Sequence, residues 1–354
     1  MHSGSAAAYY LVILGIYFCV DALAALGLNL QYGVAGIINF AFIVFEAAGA
    51  YGYALTTLGA PNPLLGEQYV GGAHLPFPIP YIVAAAVGAA FAVVLGPIGL
   101  RRIRRDYQAA LMISVGIILD QFVSTYQPFL NGAAGVSNVP KPLEPALGLG
   151  QVQYSLVYLG ASLAILAVGY VVVTFVTRSR SGLLLRAIRE DDEATMISGV
   201  NPLWPRFGVF VLGGALGGLA GGMLVGFVGA WSPSGWTYAE TLVLFVAILV
   251  GGAGTNRGTV VGALLIGVVF QEGVQFLPPI GYPGLTDQLQ WVATGIIWIL
   301  ILWFRPRGIL PERPMLQRKE VLREPAGAPA LDAPAPVPAV ETAQREGSAL
   351  PWRR

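Results

Sequence analysis

Four carboxylates stand inside apolar stretches of this 354-residue chain: Asp21, Glu46, Asp120 and Glu272. A charged side chain at the centre of a bilayer costs roughly 2.5–3.5 kcal/mol on insertion scales, so each must face protein or water. No basic residue lies in the same stretches to pair with them. The chemistry open to such groups is the handling of ions, protons or polar cargo at membrane depth. Glu46, in mid-stretch, and Asp120 are the candidates for a translocation path. Asp21 and Glu272 read as structural, either hydrogen-bonded or protonated. Three amides, Asn29, Gln31 and Asn39, flank a helix break expected at Gly33–Gly36. They either line the path or cap the broken helix ends.

Other chemistries find no residues to carry them. The one cysteine, Cys19, cannot form an internal disulfide or a thiolate metal cluster. His2 and His74 have no neighbouring ligands in the sequence, so no metal site is expected. A phosphate-cradling loop of the G-x-x-x-x-G-K-[ST] type needs a lysine after glycine. The two lysines, Lys141 and Lys319, have Pro140 and Arg318 before them. The stretch GGAGTNRG at 251–258 is Gly-rich but does not fit G-x-G-x-x-G, and reads as a tight turn between two spans. No cofactor is expected, and any energy source must reside in another chain.

The elements that position these residues follow from composition. Apolar residues make up 55% of the chain and charged residues 11%, against roughly 25% charged in soluble domains. Such a composition excludes an ordinary soluble enzyme and a disordered chain. A net charge of +1 gives no field for nucleic acid. A spanning helix needs about 20 mostly apolar residues, and runs of that kind lie near 9–30, 33–58, 79–100, 107–128, 153–177, 206–230, 237–252, 258–277 and 286–304. The fold expected is therefore all-α and integral to the membrane, with about nine (8–10) transmembrane helices. The runs at 33–58 and 237–252 are candidates for a broken or re-entrant helix. Residues 1–8 carry no basic n-region, so the first run reads as a span and not a cleaved signal. With nine crossings and the N-terminus outside, 19 of the 20 Lys and Arg residues fall on the cytoplasmic side, and only Lys141 falls outside. Residues 9–310 then form the membrane domain, and 311–354 a Pro/Ala-rich cytoplasmic tail of disordered composition.

One cytoplasmic loop is too long for a turn and too polar to span: RSRSGLLLRAIREDDEATMISGVNPLWPR, from Arg178 to Arg206. Its spacing predicts a short amphipathic helix over about 183–199, with Leu184, Leu185, Ile188 and Ile197 on one side. Gly199 ends that helix. The four acids Glu190 to Glu193 would be repelled by anionic lipid, which favours protein docking over a lipid anchor. In the run at 206–230, Gly213, Gly217 and Gly221 share one face and permit close helix approach. That face is either internal packing, a sliding surface or the contact with a partner.

The heptapeptide Glu193-Ala194-Thr195-Met196-Ile197-Ser198-Gly199 resembles the EAA loop of ABC importer permeases, with Thr at the usual second Ala. The wider match is to permeases of the branched-chain amino acid type. Leu26–Tyr51 resembles their first signature, 179–202 their second, LVGGAGTNRGTVVGA at 249–263 their third, and Phe304-Arg305-Pro306-Arg307-Gly308 their closing motif. Asn131–Ser137 resembles their Gly-rich outer loop. The order and the long tail resemble the second, M-type permease of the pair more than the first. The chain departs from the pattern at Phe42 and at Glu46, where the family is usually polar and apolar respectively.

The resemblance implies a permease subunit of an ATP-driven importer in a bacterial inner membrane. It implies a homologous second permease, two ABC ATPase subunits and a periplasmic or lipid-anchored substrate-binding protein as partners, with membrane lipid around them. Leucine, isoleucine and valine are the implied cargo, and close relatives carry urea or short amides. Arg186, Arg189, Glu190, Asp191, Glu193, Ala194 and Gly199 are the implied coupling residues, in the helix that docks on the ATPase. A stand-alone secondary transporter or channel that uses the intramembrane carboxylates is the reading from another class.

Overall fold

The computed structural model describes residues 3–61, 68–100, 105–142, 148–272, 285–305 and 308–312. The regular structure of those residues is helical, with two isolated backbone bridges and no strand among them. Helices are what a membrane chain must form, because lipid offers no partner to an unpaired backbone N–H or C=O. In order they are α1 (Ser3–Asn29), α2 (Phe42–Thr57), α3 (Ile79–Gly99), α4 (Arg105–Thr125), the single turn α5 (Gln127–Leu130), α6 (Gln151–Arg178), α7 (Arg180–Glu190), α8 (Asp192–Ile197), α9 (Leu203–Val228), α10 (Tyr238–Gly251), α11 (Asn256–Ala263) and α12 (Leu285–Phe304).

Six stretches of the described residues are long and apolar enough to cross a membrane: Ala8–Val34, Ile79–Gly99, Asp106–Thr125, Gln151–Arg178, Leu203–Val228 and Pro233–Gly251. Two expected runs yield shorter α-helices. The run at 33–58 begins as a π-helical turn, Leu30–Val34, that closes α1, and its α-helix starts only at Phe42. Gly36, at φ +70°, turns the backbone out of the helix between them. The run at 258–277 is α-helical to Ala263 and continues as a π-helix, Leu264–Glu272. The expected cytoplasmic arginines 101, 102 and 104, the side chain of Glu272 and the tail from 313 lie outside the described residues.

The core lies where α9 passes between α1, α2 and α3. Phe45 stacks edge-on against Phe42 and Phe210, at ring-centroid distances of 5.9 and 5.4 Å. The glycine pairs of α9 serve two faces at once. Methyl groups on Gly213, Gly217 and Gly221 would strike Gln31 and Gly27, Phe42, and the Glu46 carbonyl. Methyls on Gly214, Gly218 and Gly222 would strike α3 at Ala92, Ala84 and Gly88. Both small-residue faces are therefore filled by helices of this same chain. A second apolar cluster joins α10 to the π-helix through Val243, Val246, Ala247, Val250 and Ile266. Val168, Val171 and Phe175 of α6 point outward, as lipid-facing residues do.

Candidate functional site: the inner junction and the acidic cavity

The segment 178–206 differs in shape from the single helix its spacing predicts. The chain breaks at Asp191, which is extended at φ −147° and ψ 105°. The Asp191 side chain accepts a hydrogen bond from Ala194 N at 3.0 Å and so starts a new helix. Two short helices result, α7 and α8. Leu185 and Ile188 of α7 are buried, but Ile197 of α8 is 88% exposed, because the break swings it off the face the other two share. Gly199, at φ +81°, follows the end of α8, and its N–H bonds the Met196 carbonyl at 2.9 Å.

The implied coupling residues fall into two sets. Glu190, Asp191, Glu193, Ala194 and Gly199 are exposed. Arg186 and Arg189 point inward and share the Glu312 carboxylate: Arg186 Nε is 2.8 Å from Oε1 and Arg189 Nη2 is 2.7 Å from Oε2. Glu312 reaches them because residues 309 and 310 bond the end of α10, Ile309 N to the Val250 carbonyl at 2.8 Å and Leu310 N to the Gly251 carbonyl at 2.9 Å. The second guanidinium nitrogen of Arg189 donates to the Gly33 carbonyl, inside the π-helical turn that ends α1. Arg206 makes a parallel tie: Nη1 lies 2.9 Å from Asp192 Oδ2, and Nε donates to the Ala35 carbonyl at 3.4 Å. The α7–α8 segment and the start of α9 are thus bonded at two points to the break after α1. Sequence reading counted Arg206 only as a basic residue and placed Glu312 in the tail. Each arginine's partner lies a hundred or more residues away in one direction, which no local spacing reveals.

Behind this junction the three amides are fully buried. Asn29 Oδ1 accepts from Gly254 N at 2.9 Å, Gln31 Nε2 donates to the Phe210 carbonyl at 2.8 Å, and Asn39 Nδ2 donates to Gln31 Oε1 at 2.9 Å. Asn39 Oδ1 also accepts from Ala41 N at 3.1 Å, and Thr241 Oγ1 accepts from Ile43 N at 3.1 Å. The bonds to Ala41 N and Ile43 N satisfy backbone donors left open where α2 begins.

The carboxylates are arranged otherwise. Glu46 and Asp21 meet at one cavity of about 210 Å³, together with Glu240 at the start of α10. Its apolar walls include Ile43, Leu224, Val243 and Leu244, and Tyr17 and Trp231 add aromatic surface. Glu240 escaped the sequence reading because it sits in the first turn of a helix, where acids are common. Asp120, on α4, is not among the residues that line this cavity. No group of His, Cys, Asp and Glu among the described residues could hold a metal ion.

The six long apolar stretches among the described residues are those of a multi-pass membrane protein. The family described as "Branched-chain amino acid transport system / permease component" matches residues 10–302, and the chain belongs to it. It is similar to the high-affinity branched-chain amino acid transport system permease protein LivM of Salmonella typhimurium, 26% identical over 316 residues that cover 83% of this chain and 68% of the relative. BraD of Pseudomonas aeruginosa is 28% identical, with 82% and 91% covered. LivH of Salmonella typhimurium is 25% identical over 303 residues, with 82% and 90% covered. The longer match to LivM is that of an M-type permease. No solved structure matches the chain.

Proposed function

We propose that this chain is the M-type permease subunit of an ATP-driven importer for leucine, isoleucine and valine. It pairs with a homologous permease, as LivM and LivH occur together among its relatives, and works with two ABC ATPase subunits and a substrate-binding protein. The chain crosses the plasma membrane about nine times, with the N-terminus outside and residues 311–354 a cytoplasmic tail. The exposed acids and Gly199 of the α7–α8 segment dock on an ATPase subunit.

The observation that carries this reading is the bond from Arg189 of α7 to the Gly33 carbonyl. A docking segment that merely lay on the surface would have no lever on the spans. Here a shift of α7 pulls directly on the π-helical turn of the first span, and Arg206 pulls on Ala35 two residues on. Closure of the ATPases on ATP can therefore reorient α1 against α2 and α9, and release cargo inward. The glycine faces of α9 let these helices approach closely enough to move as a packed unit.

Uptake of labelled leucine and labelled urea by cells with and without this gene tests the reading, with the neighbouring transport genes intact. Gene-dependent leucine uptake that vanishes when the partner ATPase is inactivated is the expected result. Urea uptake alone would keep the ATP-driven permease and move the cargo. Transport by the isolated chain, driven by a proton gradient, would overturn it.

A further inference from the structure

The cavity between α1, α2, α9 and α10 holds a buried acid that the bundle does not satisfy. Glu46 is 7% exposed. Among the described residues its carboxylate finds no hydrogen-bond donor and no cation, whereas the neighbouring Asp21 and Glu240 do engage partners. Glu46 lines the cavity beside both of them, and none of the lining residues is basic. A buried carboxylate without a counter-charge is among the costliest groups a fold can hold, and a bound cation removes that cost. Trp231, on the same wall, has an indole N–H with no acceptor among the described residues.

The class of cation follows from the rest of the wall. A metal ion needs several oxygen ligands that converge, and no acidic group of that kind exists among the described residues. The wall instead sets the three acids beside a patch of aliphatic side chains, Ile43, Leu224, Val243 and Leu244. The volume of about 210 Å³ equals roughly seven water molecules at ~30 Å³ each. Such a space suits a small organic molecule with a charged amine at one end and a branched hydrocarbon at the other. We propose that this cavity seats the protonated amine of the transported molecule, with Glu46 as its partner and the aliphatic wall against its side chain. The inference rests on the amino-acid cargo proposed above.

The test uses the complete importer in proteoliposomes, with ATP inside and the binding protein outside. Labelled leucine uptake should fall at least tenfold for Glu46→Gln and stay within threefold of the parent for Glu46→Asp, which keeps the charge. A structural role alone does not predict that split. A second arm reads the cavity without reference to leucine. Val243→Cys, in a Cys19→Ser background, should react at least tenfold faster with the ethylammonium methanethiosulfonate than with the ethylsulfonate, and Glu46→Gln should abolish that preference. Equal rates for the two reagents, or parental leucine uptake by Glu46→Gln, would overturn the cation site. If the importer takes up no leucine but the reagent preference holds and depends on Glu46, the site stands and the cargo reading falls.

Discussion

The inner junction and the acidic cavity lie along the same two helices, α1 and α2, yet they treat buried polar groups in opposite ways. At the junction, Asn29, Gln31 and Asn39 are fully buried and each makes at least one hydrogen bond of 2.8–2.9 Å, and two arginines converge on Glu312. Seven residues past Asn39, Glu46 is nearly as buried and has no such partner among the described residues. The junction is the more fully bonded of the two, although Asn29 Nδ2 has no partner among the described residues, and a group left open keeps its free energy available to a ligand. The proposed roles, force transmission at the junction and cargo in the cavity, turn on this contrast.

The comparison breaks most severely if the packing that brings the two regions together is spoiled. Gly221→Leu drives a side chain into the Glu46 backbone, which cannot rotate away as a side chain can. The expected cost is at the top of the roughly 1–3 kcal/mol overpacking range or beyond, visible as a large fall in the melting temperature of the purified subunit. Arg189→Ala comes next. It strips the Gly33 carbonyl of its donor and leaves Glu312 to Arg186 alone, at about 1–3 kcal/mol for the unsatisfied group. Leucine uptake should drop at least tenfold while ATP hydrolysis by the complex falls less, and Arg189→Lys, which cannot reach both partners, should lie between.

Thr241→Val tests the cavity side of the break. It removes the acceptor for Ile43 N and keeps the side-chain shape, so about 1 kcal/mol of stability should be lost, measured by thermal denaturation. The smallest stability effect belongs to Glu193→Ala, on the exposed face of α8. An exposed substitution of this kind leaves the melting temperature essentially unchanged, yet co-purification with the ATPase should weaken if α8 docks there. A loss of folding in Glu193→Ala, or full coupling in Arg189→Ala, would erase the division of labour between the two regions.

The sequence by itself determined the class of fold. Long apolar runs can only become helices in lipid, because the backbone must satisfy itself, and the expected spans at 79–100, 107–128, 153–177 and 206–230 recur as α3, α4, α6 and α9 within a few residues. The break near Gly33–Gly36 was legible too, since glycine supports the turn at Gly36. The bend of the cytoplasmic segment at Asp191 was not, because a run of four acids conceals which one will cap a new helix. Nor were the partners. Arg189 meets Gly33 across 156 positions and Glu312 across 123, and Glu46 shares a cavity with Glu240 only because α2 and α10 fold alongside α1. Helical periodicity tells which face of a helix is apolar, but says nothing of which helix will cover it. The choice of neighbour rests on the shape of the glycine faces of α9 and on long-range hydrogen bonds, and these exist only once the bundle is assembled.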